Sequence, residues 1–326
     1  MKKKYPLMKA ARFFAAAIFA VLVLAACEQP AGTLDGGRDI GAVELRKIGL
    51  DPAYPLDGAY TLRENVTLSG WTPIGTFTAP FTGTLDGRGR TITLSGARGG
   101  LFAFTRGAVI RNLSVRAAIS AEGRAHNAAA GSVVNTMLPG TRIVSCEGSG
   151  SVALTSNPAE GLMVYAGGLV GYAGDGSSDG SAPSGCVIEN SGWSGTVTVT
   201  GGYPYAGGVI GYNYSQSVVR RCSSAGTVTS RGSTLPYAGG VAGYNSRESL
   251  IEDCYSTAEV QAVSESKAAL AGGVAGADAA GSTIRRCYAA GGVSAAVDGG
   301  GSGSLGGSLG VRIAANAGGI VTRQLK

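Results

Sequence analysis

The sequence predicts an all-β chain, a parallel β-helix (solenoid) of short strands that follows an N-terminal export signal. Three observations carry this expectation. Gly-rich strings recur through the second half of the chain at spacings near 32 residues. Gly makes up 55 of the 326 residues, without the strict three-residue period of collagen. Helix-period runs are absent after residue 24, apart from a short Ala-rich stretch near Glu259–Ala271. Hydrophobic residues, at 44%, are too many for a disordered linker protein.

Taken in chain order, residues 1–26 read as a signal peptide. Lys2, Lys3, Lys4, Lys9 and Arg12 form a basic n-region, and Phe13 to Leu24 form an apolar stretch of twelve residues. That stretch is shorter than the roughly 20 residues needed to span a bilayer as a helix. It runs into Leu24-Ala25-Ala26-Cys27, which resembles the bacterial lipobox. The resemblance implies cleavage before Cys27 and lipid attachment to its thiol, which makes the membrane a partner through the acyl chains. Glu28 stands where an inner-membrane retention Asp is found in enteric bacteria, and this favours the outer membrane or cell surface. Residues 27–56 read as tether and leader, and residues 57–140 as the opening rungs of the fold.

Residues 141–326 hold the repeats. Tyr165-Ala-Gly-Gly-Leu-Val-Gly-Tyr172 returns as Tyr205-Ala-Gly-Gly-Val-Ile-Gly-Tyr212 and as Tyr237-Ala-Gly-Gly-Val-Ala-Gly-Tyr244. Weaker copies are Ala271-Gly-Gly-Val-Ala-Gly276 and Ala317-Gly-Gly-Ile-Val321, giving successive spacings of 40, 32, 33 and 46 residues. A second arm of the form apolar-x-x-Cys-x-x-x-Gly-x-Val lies between them, with Cys146, Ser191, Cys222, Cys254 and Cys287 at its fourth position. In stacked rungs about 4.8 Å apart these side chains form an inward ladder. Insertions at Gly174–Ser181 and Gly299–Gly310 belong on loops outside the stack.

The Gly-Gly-[Leu/Val/Ile]-[Val/Ile/Ala]-Gly core resembles the GLUG motif of bacterial surface and secreted proteins. Upstream, Trp71-Thr-Pro-Ile-Gly75, Phe81-Thr-Gly-Thr-Leu-Asp-Gly87 and Gly100-Leu-Phe-Ala-Phe104 resemble the rungs that precede such repeats. The resemblance implies a surface-exposed, right-handed β-helix whose repeat carries no known chemistry. The last copy departs from the pattern: Ile320-Val321 is followed by Thr-Arg-Gln-Leu-Lys326, with neither a closing Gly nor a second arm. An improvised cap or a truncation is the expectation there.

Composition narrows the chemistry further. The net charge of +6 is concentrated in the signal segment, and removing its five basic residues leaves 22 basic against 21 acidic residues. No basic stripe for nucleic acid remains. One His leaves little room for a histidine-dependent catalytic set or a multi-histidine metal site, and His126 reads as a bystander in an Ala-rich loop. Beyond Cys27, five cysteines cannot all pair within one chain, and no zinc spacing occurs. Buried stacked thiols are the preferred reading, with a Cys222–Cys254 or Cys254–Cys287 disulfide as the alternative. Asp86 lies in a Leu-Asp-Gly turn that its side chain can brace. Asp175 and Asp179 lack the ordered oxygen ligands of a Ca²⁺ loop. Glu189, Glu252 and Asp253 share the second arm with Arg220, Arg221, Arg285 and Arg286, which predicts an exposed ladder of ion pairs at about 0–1 kcal/mol each.

No catalytic, metal or cofactor residue is therefore assigned. Tyr165, Tyr205 and Tyr237 precede Ala-Gly-Gly, and Tyr172, Tyr212 and Tyr244 close the motif. They form two expected ladders that either pin the register of the rungs or present an aromatic face to a glycan or a protein. The expected function is a non-enzymatic, lipid-anchored surface protein for adhesion or for envelope or glycan interaction. A polysaccharide lyase or hydrolase is the enzymatic alternative, and a truncated surface-antigen paralogue is a third.

Overall fold

The structure, a computed structural model, describes residues 37–174, 185–265, 268–279 and 281–298. Residues 1–26, expected to be a signal peptide and including Leu24, Ala25 and Ala26, lie outside the described residues, as do Cys27, the insertion bearing Asp175 and Asp179, and the Ala317-to-Val321 string.

Nearly every described element is a strand, and the pairing is parallel in all three sheets, of sixteen, five and six strands. The chain visits these sheets in a constant order. Val187–Glu189 and Gly192–Gly201 lie in the large sheet, Tyr203–Gly207 in the five-stranded sheet, and Ile210–Asn213 in the six-stranded one. Val218–Arg220 then returns to the large sheet beside Val187–Glu189. Register is exact: Gly192–Gly201 pairs residue for residue with Ser223–Gly232, so that Thr196 faces Thr227 and Val197 faces Val228. Val197 and Val199 are buried and alternate with threonines, the period-two pattern of a strand with one face on a core.

The second-arm glycines fit because the neighbouring repeat leaves no room for a side chain. A Cβ built on Gly226, whose φ is +103°, would lie 2.1 Å from the Gly195 carbonyl oxygen. Ala258 occupies the next position of this row. There the strand is split into Tyr255–Ser256 and Glu259–Ser264, where Gly192–Gly201 and Ser223–Gly232 run unbroken. Ala258 does not take the positive φ of Gly226, and the split continues in the next rung, where Gly291 lies between Tyr288–Ala289 and Val293–Val297.

Two segments differ from the sequence expectation. Glu259–Ser264 is a strand, because Val260 and Ala262 alternate into the core against the template of Thr227 to Gly232. The Ala-rich composition supplies no apolar stripe at helical spacing to compete with that pairing. The paired fold also starts ahead of residue 57, since Arg38–Ile40 pairs with Ala59–Leu62. Between them Ala42–Leu45 forms one helical turn, in which the Glu44 carboxylate accepts the Gly41 N–H at 2.9 Å. Leu45 and Ile48 seat this turn on the core, while Val43 and Leu50 face outward.

Candidate functional site

The six motif tyrosines form one cluster. In Met163–Gly167, Val164 and Ala166 enter the main core, so strand alternation sends Tyr165 to the opposite side. Tyr165, Tyr205 and Tyr237 are in register, as are Tyr172, Tyr212 and Tyr244. The two rows interlock. Tyr205 stacks on Tyr237 at 4.7 Å and 8°, and on Tyr212 at 5.6 Å and 4°. Tyr244 meets Tyr237 edge-on at 5.0 Å.

Tyr165, Tyr205 and Tyr237 are buried at 2%, 8% and 8% exposure, whereas Tyr172, Tyr212 and Tyr244 are half-buried. Burial raises the Tyr165, Tyr205 and Tyr212 hydroxyls and pushes Tyr237 up to about 12. The Tyr165 hydroxyl donates to Asn127 Oδ1 at 2.8 Å. The sequence thus places all six residues together, but only the second row meets solvent to any extent. The glycines explain the close fit: a Cβ at Gly211 would lie 2.8 Å from the Ala166 nitrogen, and one at Gly207 would lie 2.7 Å from the Gly243 nitrogen.

The second arm builds the expected inward ladder. Cys146 N–H donates to Ser191 Oγ at 3.1 Å, Cys222 N–H to Cys254 Sγ at 3.4 Å, and Cys254 N–H to Cys287 Sγ at 3.4 Å. None of Cys146, Cys186, Cys222, Cys254 and Cys287 is joined in a disulfide. Burial pushes Cys146 up to about 12, so its reactive thiolate is suppressed.

The ion-pair ladder is present, but it is less exposed than its outward position suggests. Glu189 is only 5% exposed. Its carboxylate accepts from Arg142 at 2.7 Å, from Arg220 Nε at 2.7 Å and from Arg221 at 3.2 Å. Burial pushes this carboxyl up, and the bonds from Arg142 and Arg220 outweigh it to leave it below the ordinary value. Glu252 accepts from Arg285 at 2.8 Å and from Arg286 at 2.9 Å, and Arg286 also holds Asp253. Three guanidinium groups cover one buried carboxylate, so the 0–1 kcal/mol figure for exposed pairs does not apply to Glu189. Asp86 accepts the Arg88 N–H at 2.9 Å, as its turn predicts, and in addition holds Arg111 Nε at 2.9 Å. His126 is exposed in a turn. Among the described residues, no group of three or more His, Cys, Asp or Glu side chains is placed to hold a metal ion.

Three further features escape the sequence reading. Asn112, Ser145, Asn190, Arg221, Asp253 and Arg286, each just before the inward ladder, all adopt φ between 51° and 53°. Their variety hides a common left-handed turn that favours Asn or Asp. A buried amide ladder follows the tyrosine motif: Asn213 Nδ2 donates to Asn245 Oδ1 at 2.8 Å, and Asn245 Nδ2 to Asp278 Oδ1 at 2.7 Å. The repeated Gly-Tyr-Asn at 211–213 and 243–245 is its signal. Finally, Tyr255 and Tyr288 stack at 5.4 Å and 8° with 42% and 53% of their surfaces exposed. The Cys-Tyr pairs at 254–255 and 287–288 mark them in the sequence.

The family model for the GLUG motif matches residues 202–229 and 235–261. The chain carries GLUG repeats. The matched segments contain the second and third tyrosine motifs, whose glycines bring neighbouring backbones together. Among solved structures, the chain is similar to one from Bacteroides ovatus that is provisionally named an immunoglobulin A1 protease. The match has 17% identity and a TM-score of 0.60, and it covers 82% of this chain and 79% of that one. At that identity the likeness is one of fold. No curated protein matches the chain.

Proposed function

We propose that the protein is a lipid-anchored component of the bacterial cell surface or outer membrane that displays a right-handed parallel β-helix for binding, without catalysis. The three parallel sheets are then the faces of one coil. Their constant order of visit supports this, and the strong right-handed bias of parallel crossovers supplies the hand. The anchor is Cys27, presented by Leu24, Ala25 and Ala26. The partner is a glycan or an envelope or host protein.

One observation carries the non-enzymatic reading. The carboxylates that the repeats align, Glu189, Glu252 and Asp253, are each held by arginine, and so is Asp86. A glycan-cleaving enzyme instead needs a pair of carboxyl groups free to donate and accept protons across the scissile bond. The reading is tested by metabolic labelling with alkyne-palmitate, together with protease shaving of intact cells. Labelling that is lost in Cys27→Ala, with the repeat region removed by shaving, is the expected result. Labelling unchanged in Cys27→Ala overturns the anchor. Cleavage of a polysaccharide panel by the purified chain overturns the non-enzymatic assignment.

A further inference from the structure

The stacked Tyr255–Tyr288 pair has no structural counterpart in its own column. Pairing places Glu147, Gly192, Ser223, Tyr255 and Tyr288 in one outward row of the large sheet. Earlier repeats fill this row with a carboxylate, a glycine and a serine, so the fold does not require an aromatic there. Register is already pinned by the buried tyrosine cluster on the other sheets. Two tyrosines left 42% and 53% exposed therefore call for another explanation.

The row also has a shape. Tyr288 stacks on one face of Tyr255, so the other face looks along the row toward Ser223 and Gly192. The Glu147 carboxylate lies over Gly192, where a Cβ would come within 2.5 Å of its Oε2. Ser223 is thus the floor of a slot between an aromatic face and a carboxylate, about 10 Å apart as two strand spacings. The guanidinium of Arg221, two residues before Ser223, is tied to Asn190 Oδ1 at 2.7 Å and to Glu189 at 3.2 Å.

We propose that this slot binds one ring of a neutral oligosaccharide, with the apolar face of a pyranose stacked on Tyr255. Glu147 and Ser223 accept and exchange hydrogen bonds with the sugar hydroxyls. The Glu147 carboxylate at one wall of the slot disfavours a uronate or a phosphate, which favours an uncharged ligand. Aromatic stacking and hydroxyl-directed polar groups are the chemistry a sugar ring offers, and a protein or lipid surface would not need the narrow floor. This rests on the surface-binding reading and names its site and ligand class.

The test uses the full chain in mild detergent, with cellotetraose and chitotetraose as probes, read by saturation-transfer NMR and titration calorimetry. Binding of at least one probe is expected. Tyr255→Ala should weaken it tenfold or more, and Ser223→Trp, which fills the slot, should abolish it. Tyr255→Phe should retain binding within about threefold and shows that the face, not the hydroxyl, is used. Circular dichroism confirms that each variant is folded. No binding of either probe, or binding by Tyr255→Ala and Ser223→Trp equal to that of the unaltered chain, overturns the proposal. Because the purified chain is used, neither result depends on the anchor at Cys27.

Discussion

Gly226→Ala and its mirror, Ala258→Gly, test the packing argument with the fewest atoms changed. A methyl group at 226 would lie 2.1 Å from the Gly195 carbonyl oxygen, against about 3.4 Å for ordinary contact, so the strand must retreat by more than 1 Å. That retreat breaks two ladder hydrogen bonds at about 0.5–1.5 kcal/mol each. Holding a non-Gly residue at φ +103° costs about 1–2 kcal/mol more. The expected destabilisation is about 2–5 kcal/mol. Ala258→Gly, at a buried position without a positive φ, gains nothing from the freedom of glycine and should destabilise by about 0.5–1 kcal/mol. Urea unfolding followed by far-UV circular dichroism measures both. A change smaller than about 0.5 kcal/mol in Gly226→Ala, the range of substitutions that disturb nothing, would refute the clash as the reason for glycine.

Further outcomes follow from the other ladders. Tyr205→Ala removes a buried ring and should cost about 3–5 kcal/mol, while Tyr244→Ala, at a half-buried ring, should cost clearly less; the reverse order in urea titrations would contradict the layering of the two rows. Glu189 has a lowered pKa, so its stabilising contribution is complete above the ordinary carboxylate value of about 4.3 and is lost as pH falls through the depressed folded value. Glu189→Gln should therefore be less stable at pH 7 and show a flatter stability curve between about pH 5 and 3. Exposed Ser145 sits at φ 53° between Asn112 and Asn190, and Ser145→Asn should raise stability by up to about 1 kcal/mol, seen as a higher melting temperature.

The repeat was legible because its glycines answer to fixed backbone neighbours. A residue that cannot change without a clash recurs at constant spacing, and Gly207, Gly211 and Gly226 all do. The in-register tyrosines and the inward cysteine row follow from that spacing. Which tyrosine row is buried was not legible, since Ala-Gly-Gly-x-x-Gly turns a corner and strand alternation does not carry across it. The left-handed column was hidden for a different reason: backbone geometry recurs there while Asn, Ser, Arg and Asp share the position. Glu189 looked exposed because an outward strand position says nothing of arginines reaching from the strands on either side. The Tyr255–Tyr288 pair breaks the pattern of its row, and a search for what repeats passes over what does not.

The most direct test of the account is the register itself, because the ladders and the slot all depend on it. Thr196 and Thr227 are exposed partners on adjacent parallel strands, with Cα atoms about 4.8 Å apart, inside the range a disulfide spans. Thr198 lies one pleat further along, about 8 Å from Thr227 and outside that range. Thr196→Cys/Thr227→Cys should cross-link under mild oxidation, read by mass spectrometry of the joined peptides, and Thr198→Cys/Thr227→Cys should not. Cross-linking of the second pair in preference to the first would contradict the 31-residue register between Thr196 and Thr227, and with it the stacked repeat.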